Sequence, residues 1–270
     1  MAKMLEINFQ LCEEADQPTN KPDRIAQFKF DGRRVAVLKK GNEVQLWGRD
    51  VINAHSFPEI VDAFKKIPGN FIVDTEFAVF TDEMKTDRGL LQSRDKTKDA
   101  FKIRLLSNLH PATAIVFDLL EFNGQDLRNE EYQKRREVIN EHFKQFVNPQ
   151  LKVAEDMKPD EAWQLAIEKQ LEGIVEKDIR SKYIGKRDKS WTKIKRKEIS
   201  EITFTGYEIS PVGLTLTNKQ GFRVACNGEQ HKKVKEIIDK QGFALVRVRG
   251  MAGKTVNGKI REIVFHEMIG

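Results

Sequence analysis

The sequence predicts an α+β domain of mainly antiparallel sheets with flanking helices, followed by a small β-barrel. Helices and strands are mixed without regular β-α-β alternation, helical stretches are few, and short strands follow one another closely after Ser200. At 270 residues the chain is long enough for two domains with separate hydrophobic cores. We expect these domains to cover residues 1–197 and 198–270.

Four helices are predicted from apolar residues that recur at helical spacing. The third begins with Pro159 and acidic residues, and the fourth ends before Gly242, which are common helix start and stop signals. The predicted helices cover residues 55–66, 129–146, 159–170 and 229–241.

Strands are predicted where β-branched and aromatic residues form short runs between turn residues. In the first domain these runs are 25–30, 35–39, 43–47, 71–80, 113–120, 173–176 and 191–194. In the second they are 201–209, 214–217, 222–226, 244–249 and 259–266, with a hairpin signal at Asn257-Gly258. Five short strands and one helix are typical of a small Greek-key barrel of the OB type, a fold that binds nucleic acid.

The charge distribution points to an anionic partner. Lys and Arg number 47 against 41 Asp and Glu, which gives a net charge of +6 and a pI of about 9.1. Residues 177–197 alone hold ten Lys or Arg against two Asp. A solvated basic loop would explain such a run, but the interleaved Tyr183 and Trp191 favour binding of phosphates or nucleic acid.

Composition excludes several classes of protein. The two cysteines, Cys12 and Cys226, provide neither a disulfide framework nor the spacing of a zinc site. No apolar run approaches the ~18 residues of a membrane span, and the first twenty residues carry four acidic ones. We therefore expect a cytoplasmic protein with no membrane association, and a monomer would suffice for the chemistry below.

Charged side chains recur at alternate positions of otherwise apolar strands, where they share one face. One such pair alone is typical of a solvent-facing strand. Several together indicate a cleft that holds a polyphosphate and its metal. The pairs are Lys29 with Asp31, Asp74 with Glu76, and Lys193 with Lys195, and in a further strand Glu172 and Ile174 are followed by Glu176-Lys177.

Lys29 is the candidate nucleophile. A lysine amine reacts only when it is neutral, so its pKa must be lowered by burial or by neighbouring cations. Phenylalanines flank Lys29, and Arg34, Lys193 and Lys195 could supply the cationic field and a phosphate clamp.

Three carboxylates complete the predicted cleft. Mg²⁺ prefers a few carboxylate oxygens together with phosphate and water. The candidate ligands are Asp74, Glu76 and Glu172. A lysine, a magnesium site and a phosphate clamp together suggest nucleotidyl transfer through a lysine phosphoramidate.

These residues resemble the motifs of ATP-dependent DNA ligases, which belong to the covalent nucleotidyltransferase superfamily. The match covers most of the chain and keeps the order of the motifs. The matching segments are KFDGRR at 29–34, WGRD at 47–50, DTE at 74–76, FDLL at 117–120, LEGIVEK at 171–177 and WTKIK at 191–195.

The resemblance implies a role for each residue. The catalytic group is Lys29, which accepts AMP from ATP, with Asp31, Lys193 and Lys195. Phe117 stacks on adenine, and Gln27 lies at the adenine edge, where many relatives have glutamate. The remaining nucleotide contacts come from Arg34, Glu76, Lys177, Lys193 and Lys195, the DNA contacts come from Arg34, Arg49 and Arg94, and Asp74, Glu76 and Glu172 bind the metal.

The implied function is sealing of 5′-phosphate/3′-hydroxyl nicks in duplex DNA, through lysine–AMP and adenylated DNA, in replication, repair or recombination. ATP and Mg²⁺ are the implied cofactors, with Mn²⁺ as an alternative metal. Compact relatives often use a loop to encircle DNA, and residues 82–100 are either such a loop or a solvated one.

Departures from the family pattern leave alternatives open. Thr75 and Gly48 replace the usual glycine and serine, and no RxDK-like motif occurs near the carboxyl end. An RNA ligase shares these motifs, and a ligase relative that only binds nucleic acid would explain the missing one. A capping guanylyltransferase is disfavoured because WTKIK lacks the proline typical of that group.

Overall fold

A computed structural model describes residues 7–19, 21–48, 52, 54–211, 213–226, 228–251, 260 and 262–269. The chain divides into two compact units, Met1–Ile194 and Lys195–Gly270. No helix in these described stretches combines the length and the apolar character that a membrane span requires.

The first unit contains two sheets. The strands of the first sheet are β1 (Leu11–Ala15), β2 (Arg24–Lys29), β9 (Gly173–Asp178) and β10 (Arg187–Lys195). Their order in the sheet is β1-β10-β9-β2, in which β2 and β9 are antiparallel and β1 and β10 are parallel.

The strands of the second sheet are β3 (Arg33–Lys40), β4 (Glu43–Trp47), β5 (Phe71–Val79), β6 (Ala112–Phe122), β7 (Gln125–Asp126) and β8 (Leu151–Val153). Their order in the sheet is β4-β3-β5-β6-β7, and β8 pairs in parallel with β6. Side chains such as Val35, Phe77 and Leu119 form the main core on one of its faces. Polar residues therefore concentrate on the opposite face, toward the first sheet.

Five helices flank these sheets: α1 (Pro58–Lys65), α2 (Arg88–Lys96), α3 (Ala100–Leu109), α4 (Tyr132–His142) and α5 (Pro159–Glu168). The predicted helix over 129–146 ends earlier, at His142, and a short 3₁₀ turn covers Lys144–Phe146. Helix α5 packs Ala162 and Ala166 against Ile174 of β9.

The loop predicted at 82–100 is wrong, because most of this segment is helical. The side chains of Asp87 and Asp99 accept hydrogen bonds from the backbone amides of Leu90 and Lys102, so each aspartate caps a helix start. Of its basic residues, Arg88, Arg94 and Lys96 lie on α2, whereas Lys85 and Lys98 lie in the irregular stretches on either side.

The elements of the second unit are β11 (Lys197–Phe204), β12 (Gly206–Ser210), β13 (Gly213–Thr217), β14 (Arg223–Cys226), α6 (Glu229–Gln241), β15 (Ala244–Met251) and β16 (Val264–Met268). The strands form two three-stranded antiparallel sheets in the orders β11-β15-β16 and β12-β13-β14. Phe204, Leu216 and Val246 share one core with α6. These two sheets do not close into a barrel within the described residues, so the OB-type barrel stays a prediction, and Asn257-Gly258 lies outside those residues.

Candidate active site

Lys29 is the last residue of β2, and the sheet register places it opposite Gly173 at the start of β9. Its Nζ lies 2.7 Å from Oε1 of Glu172. The Lys29 side chain keeps a quarter of its surface exposed, whereas Glu172 is almost fully buried. The amine is therefore held by an ion pair, on a side chain that is not fully buried.

Carboxylates, not cations, dominate the electrostatics of Lys29. Burial lowers its pKa, but the nearby Glu172, Glu76 and Asp31 outweigh this effect and raise the pKa above its ordinary value. The expectation that Arg34, Lys193 and Lys195 lower this pKa is wrong for the ligand-free arrangement. The amine must lose its proton to Glu172 or to solvent before it can act as a nucleophile.

Glu76 lies on β5 with its side chain toward Lys29. Burial raises the pKa of Glu76 to about 8, although Lys29 and Arg34 act to lower it. Gly32 allows this close approach, since a Cβ there would lie 2.9 Å from Oε1 of Glu76 and would overlap the backbone oxygen of Phe77. The requirement for glycine beside the lysine is therefore steric.

Asp74 is fully buried, and both of its oxygens are occupied by protein donors. Arg34 donates from Nε at 3.0 Å and from Nη2 at 2.6 Å, and the Tyr183 hydroxyl donates at 2.6 Å. Three of the roughly four acceptor sites of this carboxylate are therefore used within a buried cluster, and the metal role of Asp74 stays a prediction. The Arg34 guanidinium is held in the same cluster, so its ribose and DNA contacts stay predictions.

A magnesium site would have to use few protein ligands. Among the residues that the structure describes, no group of three or more His, Cys, Asp or Glu is arranged to hold a metal. Mg²⁺ usually binds one or two carboxylates and fills its shell with phosphate oxygens and water. Glu76 and Glu172, which both act on Lys29, fit that donor set.

Beside these carboxylates, Lys177 is buried in an aromatic cage. Its Nζ donates to the backbone oxygen of Phe117 at 2.8 Å and lies 4.3 Å from the ring centroid of Trp191 and 4.8 Å from that of Tyr132. Burial lowers the pKa of Lys177 to about 8. Since only 1% of Lys177 is exposed, the predicted phosphate contact is not available in this conformation.

Phe117 is partly buried between the two sheets. Its ring makes an edge contact with Trp191 and lies near the charges of Lys177 and Arg34. Behind it, Asp118 accepts two hydrogen bonds from Arg135, and both side chains are completely buried. The ion pair holds this end of β6 against α4, and adenine stacking on Phe117 stays a prediction.

Two of the remaining predicted lysines lie on β10. Lys193 is 3.4 Å from Glu14, and Lys195, the first residue of the second unit, binds Glu262 of that unit at 2.6 Å. Asp31 lies two residues after Lys29, and its Oδ1 is 3.4 Å from Nη1 of Arg88 in α2. None of these contacts tests the proposed catalytic roles.

Two of the arginines that are predicted to contact DNA are Arg94 and Arg49. Arg94 is 1% exposed, and it donates to the backbone oxygens of His110 and Ser56 and pairs with Glu59. In this arrangement Arg94 joins α2 to α1, and a DNA contact by Arg94 stays a prediction. Arg49 lies outside the described residues.

Gln27 is buried at the same face of β2 as Lys29. Its Nε2 donates to the Tyr132 hydroxyl at 2.8 Å and to Oδ1 of Asp156 at 2.7 Å. Tyr132 and Asp156 were not predicted as site residues, and no spacing signal could have indicated them, since they come from α4 and from the segment before α5.

A family model described as "ATP dependent DNA ligase domain" matches residues 4–195. The "SPbeta prophage-derived DNA ligase-like protein LigB" of Bacillus subtilis is 28% identical over 219 residues, which cover 80% of this chain and 77% of that relative. A "Probable DNA ligase" of Dictyoglomus turgidum is 33% identical over 177 residues, which cover 62% of this chain and 30% of the relative.

A "Probable DNA ligase" of Persephonella marina is 29% identical over 67% of this chain, which spans 32% of that relative. The chain thus spans about a third of the length of several curated relatives that it matches.

Solved structures share the fold at low sequence identity. The structure described as "DNA binding with a minimal scaffold: Structure-function analysis of Lig E DNA ligases" aligns with a TM-score of 0.69 and 16% identity, over 98% of this chain and all of the other. That of "mycobacterial DNA ligase D complexed with ATP and MES" aligns with a TM-score of 0.62 and 18% identity, over 97% and 95% of the two chains.

Proposed function

Because the chain belongs to the family of ATP-dependent DNA ligase domains, we propose that it seals 5′-phosphate/3′-hydroxyl nicks in duplex DNA. One observation carries the proposal: Lys29 lies in an ion pair with Glu172, next to Glu76, and keeps a quarter of its side chain exposed. A lysine and two carboxylates in one cleft are the groups that nucleotidyl transfer needs.

The first step joins AMP to Lys29. After its Nζ has lost a proton, for which Glu172 at 2.7 Å is the contacting acceptor, the amine attacks the α-phosphate of ATP. A P–N bond forms, the bond from the α-phosphorus to the bridging oxygen breaks, and pyrophosphate leaves. The ion pair with Glu172 both positions the amine and must open before the attack.

Two further steps complete the joining of strands. The 5′-phosphate at the nick attacks the lysine-bound AMP and releases the free amine, which gives an adenylated 5′ end. The 3′-hydroxyl then attacks that end, the new phosphodiester forms and AMP leaves. Lys193 of β10 keeps a quarter of its side chain exposed, so it is available to neutralise phosphate charge in these steps.

Glu76 and Glu172 would hold the Mg²⁺ that the family implies, which would polarise phosphate oxygens and offset their charge. Burial raises the pKa of Glu76 to about 8, so a bound cation would favour its ionised form. Phe117 and Gln27 would contact adenine. For the second unit we propose an OB-type DNA-binding domain that begins near residue 198, and for the whole chain a monomer.

A nick-sealing assay tests the proposal. Labelled duplexes with a single nick, with either DNA or RNA strands, are incubated with the wild type, Lys29→Ala and Lys40→Ala, where Lys40 is an exposed lysine at the end of β3. We expect the wild type and Lys40→Ala to seal the DNA nick. Lys29→Ala should fail on it and still seal a nick whose 5′ end is already adenylated, because the last step does not use the lysine nucleophile.

Each other outcome has a defined meaning. Faster sealing of the RNA nick would make the chain an RNA ligase. Binding of nicked DNA without sealing of either substrate by the wild type would support a ligase relative that only binds nucleic acid.

A further inference from the structure

The side-chain amide of Gln27 is held by two acceptors. Gln27 is 3% exposed, and its Nε2 lies 2.8 Å from the Tyr132 hydroxyl oxygen and 2.7 Å from Oδ1 of Asp156. An amide nitrogen carries two hydrogens, so these two contacts use its whole donor capacity.

Asp156 fixes which way this amide is turned. The Tyr132 hydroxyl donates to Oδ1 of Asp156 at 3.0 Å, so its oxygen accepts the hydrogen bond from Gln27. An ionised carboxylate only accepts. If the amide were turned over, Oε1 of Gln27 would face a carboxylate oxygen at hydrogen-bond distance with no proton between them, which is repulsive. Arg136 pairs with Asp156 at 3.1 Å, which holds that carboxylate in place.

The fixed amide leaves one polar atom, Oε1, and this atom can only accept a hydrogen bond. Within the described part of the chain, no donor is bonded to Oε1 of Gln27. Gln27 and Lys29 lie two residues apart on one face of β2, a separation of about 7 Å along the strand. A nucleotide joined through its phosphate to Lys29 can therefore present its base to Gln27.

The edges of the two purines differ at this point. Adenine carries an exocyclic amino group that donates, whereas guanine carries a carbonyl oxygen that accepts. An acceptor held at Gln27 Oε1 matches adenine and repels guanine. We propose that Asp156 is a positioning residue that selects adenine over guanine by locking the Gln27 amide, and that Tyr132 supports it. The inference rests on the proposed function, in which Lys29 carries the nucleotide.

If Asp156 orients Gln27, the loss of ATP binding caused by Gln27→Glu should be reversed when Asp156→Asn is added. In Gln27→Glu, a second carboxylate faces Asp156 at about the same short distance, and like charges repel. In Asp156→Asn, the new amide can accept from one orientation of Gln27 or donate to the other, so the lock is lost. In the double variant, the amide introduced at position 156 donates to one oxygen of the carboxylate introduced at position 27 and leaves the other oxygen as an acceptor for adenine.

The test measures equilibrium binding of ATP and GTP, each with Mg²⁺, by titration calorimetry. We expect the wild type to prefer ATP at least about tenfold, and Asp156→Asn to lower that preference about tenfold, the effect of one hydrogen bond. Gln27→Glu should weaken ATP binding at least about tenfold, and the double variant should restore it to within about threefold. Asp62→Asn, on the exposed face of α1, is the matched control and should change nothing.

The inference is overturned if Asp156→Asn leaves the ATP-to-GTP ratio within about twofold of the wild type and the double variant binds ATP no better than Gln27→Glu. It is also overturned if the wild type binds GTP as well as ATP, or binds neither. If Asp156→Asn does not fold, the wild-type ratio and the loss in Gln27→Glu still decide it. Intact mass on the same samples separates the two proposals, because ATP binding without a lysine–AMP adduct rejects only the proposed function.

Discussion

The ionisable carboxyl group of Glu76 should lower the free energy of unfolding of the first unit at neutral pH, compared with a neutral side chain of the same shape. Burial raises the pKa of Glu76 to about 8 in the folded chain, against an ordinary value of 4.5 that applies after unfolding. Between these two values the folded state binds more protons than the unfolded state, so the free energy of unfolding falls as the pH rises from 4.5 to about 8. Lys29 and Arg34 lower this pKa only in part.

Glu76→Gln removes the titration and keeps the shape of the side chain. One pKa unit corresponds to about 1.4 kcal/mol, so at pH 7 the variant should be about 3 kcal/mol more stable than the wild type. Near pH 4.5 the two should have equal free energies of unfolding. Substituting Glu76, for which we propose a role in metal binding, would thus stabilise the fold, as expected where a buried charge is kept for function.

Urea unfolding followed by tryptophan fluorescence measures this difference at pH 5, 6, 7 and 8. All three tryptophans, Trp47, Trp163 and Trp191, lie in the first unit, so their signal reports on the unit that holds Glu76. Glu137→Gln, on the exposed face of α4, is the matched control and should track the wild type. A Glu76→Gln variant that is less stable than the wild type at pH 7, or whose advantage does not grow with pH, would refute the reasoning.

Three other predictions follow from the same contacts. Asp118→Asn should lower the free energy of unfolding by about 3–5 kcal/mol in urea titrations, because it leaves the Arg135 charge buried without its carboxylate; loss of less than about 1 kcal/mol would contradict the burial of this pair. Gly32→Ala should lower the thermal midpoint and abolish lysine–AMP formation, since its Cβ would overlap the backbone of β5, and a fully active variant would exclude that close approach. The rate of lysine–AMP formation in rapid-quench assays should rise steadily from pH 6.5 to 9, because the pKa of Lys29 is raised and only its neutral form reacts; a rate that falls with pH would contradict this.

The strands that carry the site could be predicted from sequence because their alternation of apolar and charged residues is strong. Lys29 and Glu76 share the polar space between the sheets, as the charged positions in their strands indicate. The pattern does not show which oppositely charged neighbour each residue will meet. Asp74 has the residue type of a metal ligand, but Arg34 on the neighbouring strand β3 lies within hydrogen-bond distance of it.

Helices α2 and α3 were missed for a different reason. Charged residues cover much of the surface of α2, and in α3 the apolar Phe101, Leu105 and Leu109 are exposed, so hydrophobic periodicity is weak in both helices. Asp87 and Asp99 were visible as capping residues, and the aspartate before each helix was the usable signal. The burial of Arg94 could not be predicted for the same reason, because a residue in a loop is expected to be exposed.

The contacts of Gln27 could not be predicted from spacing at all. Tyr132 and Asp156 are separated from it by 105 and 129 residues, and only the tertiary fold brings the three side chains together. Motif order identifies residues that contact a ligand directly. The residues that orient them follow no fixed spacing, since any nearby element can supply the hydrogen bond.

Intact-mass analysis of the lysine–AMP intermediate tests the central claim most directly. The protein is first treated with pyrophosphate to remove any bound AMP, and then incubated with ATP and Mg²⁺. We predict one AMP adduct on the wild type and on Lys40→Ala, none on Lys29→Ala, and loss of the adduct when nicked duplex DNA is added. An adduct that persists in Lys29→Ala, or a wild type that forms none, would contradict the assignment of Lys29 as the nucleophile.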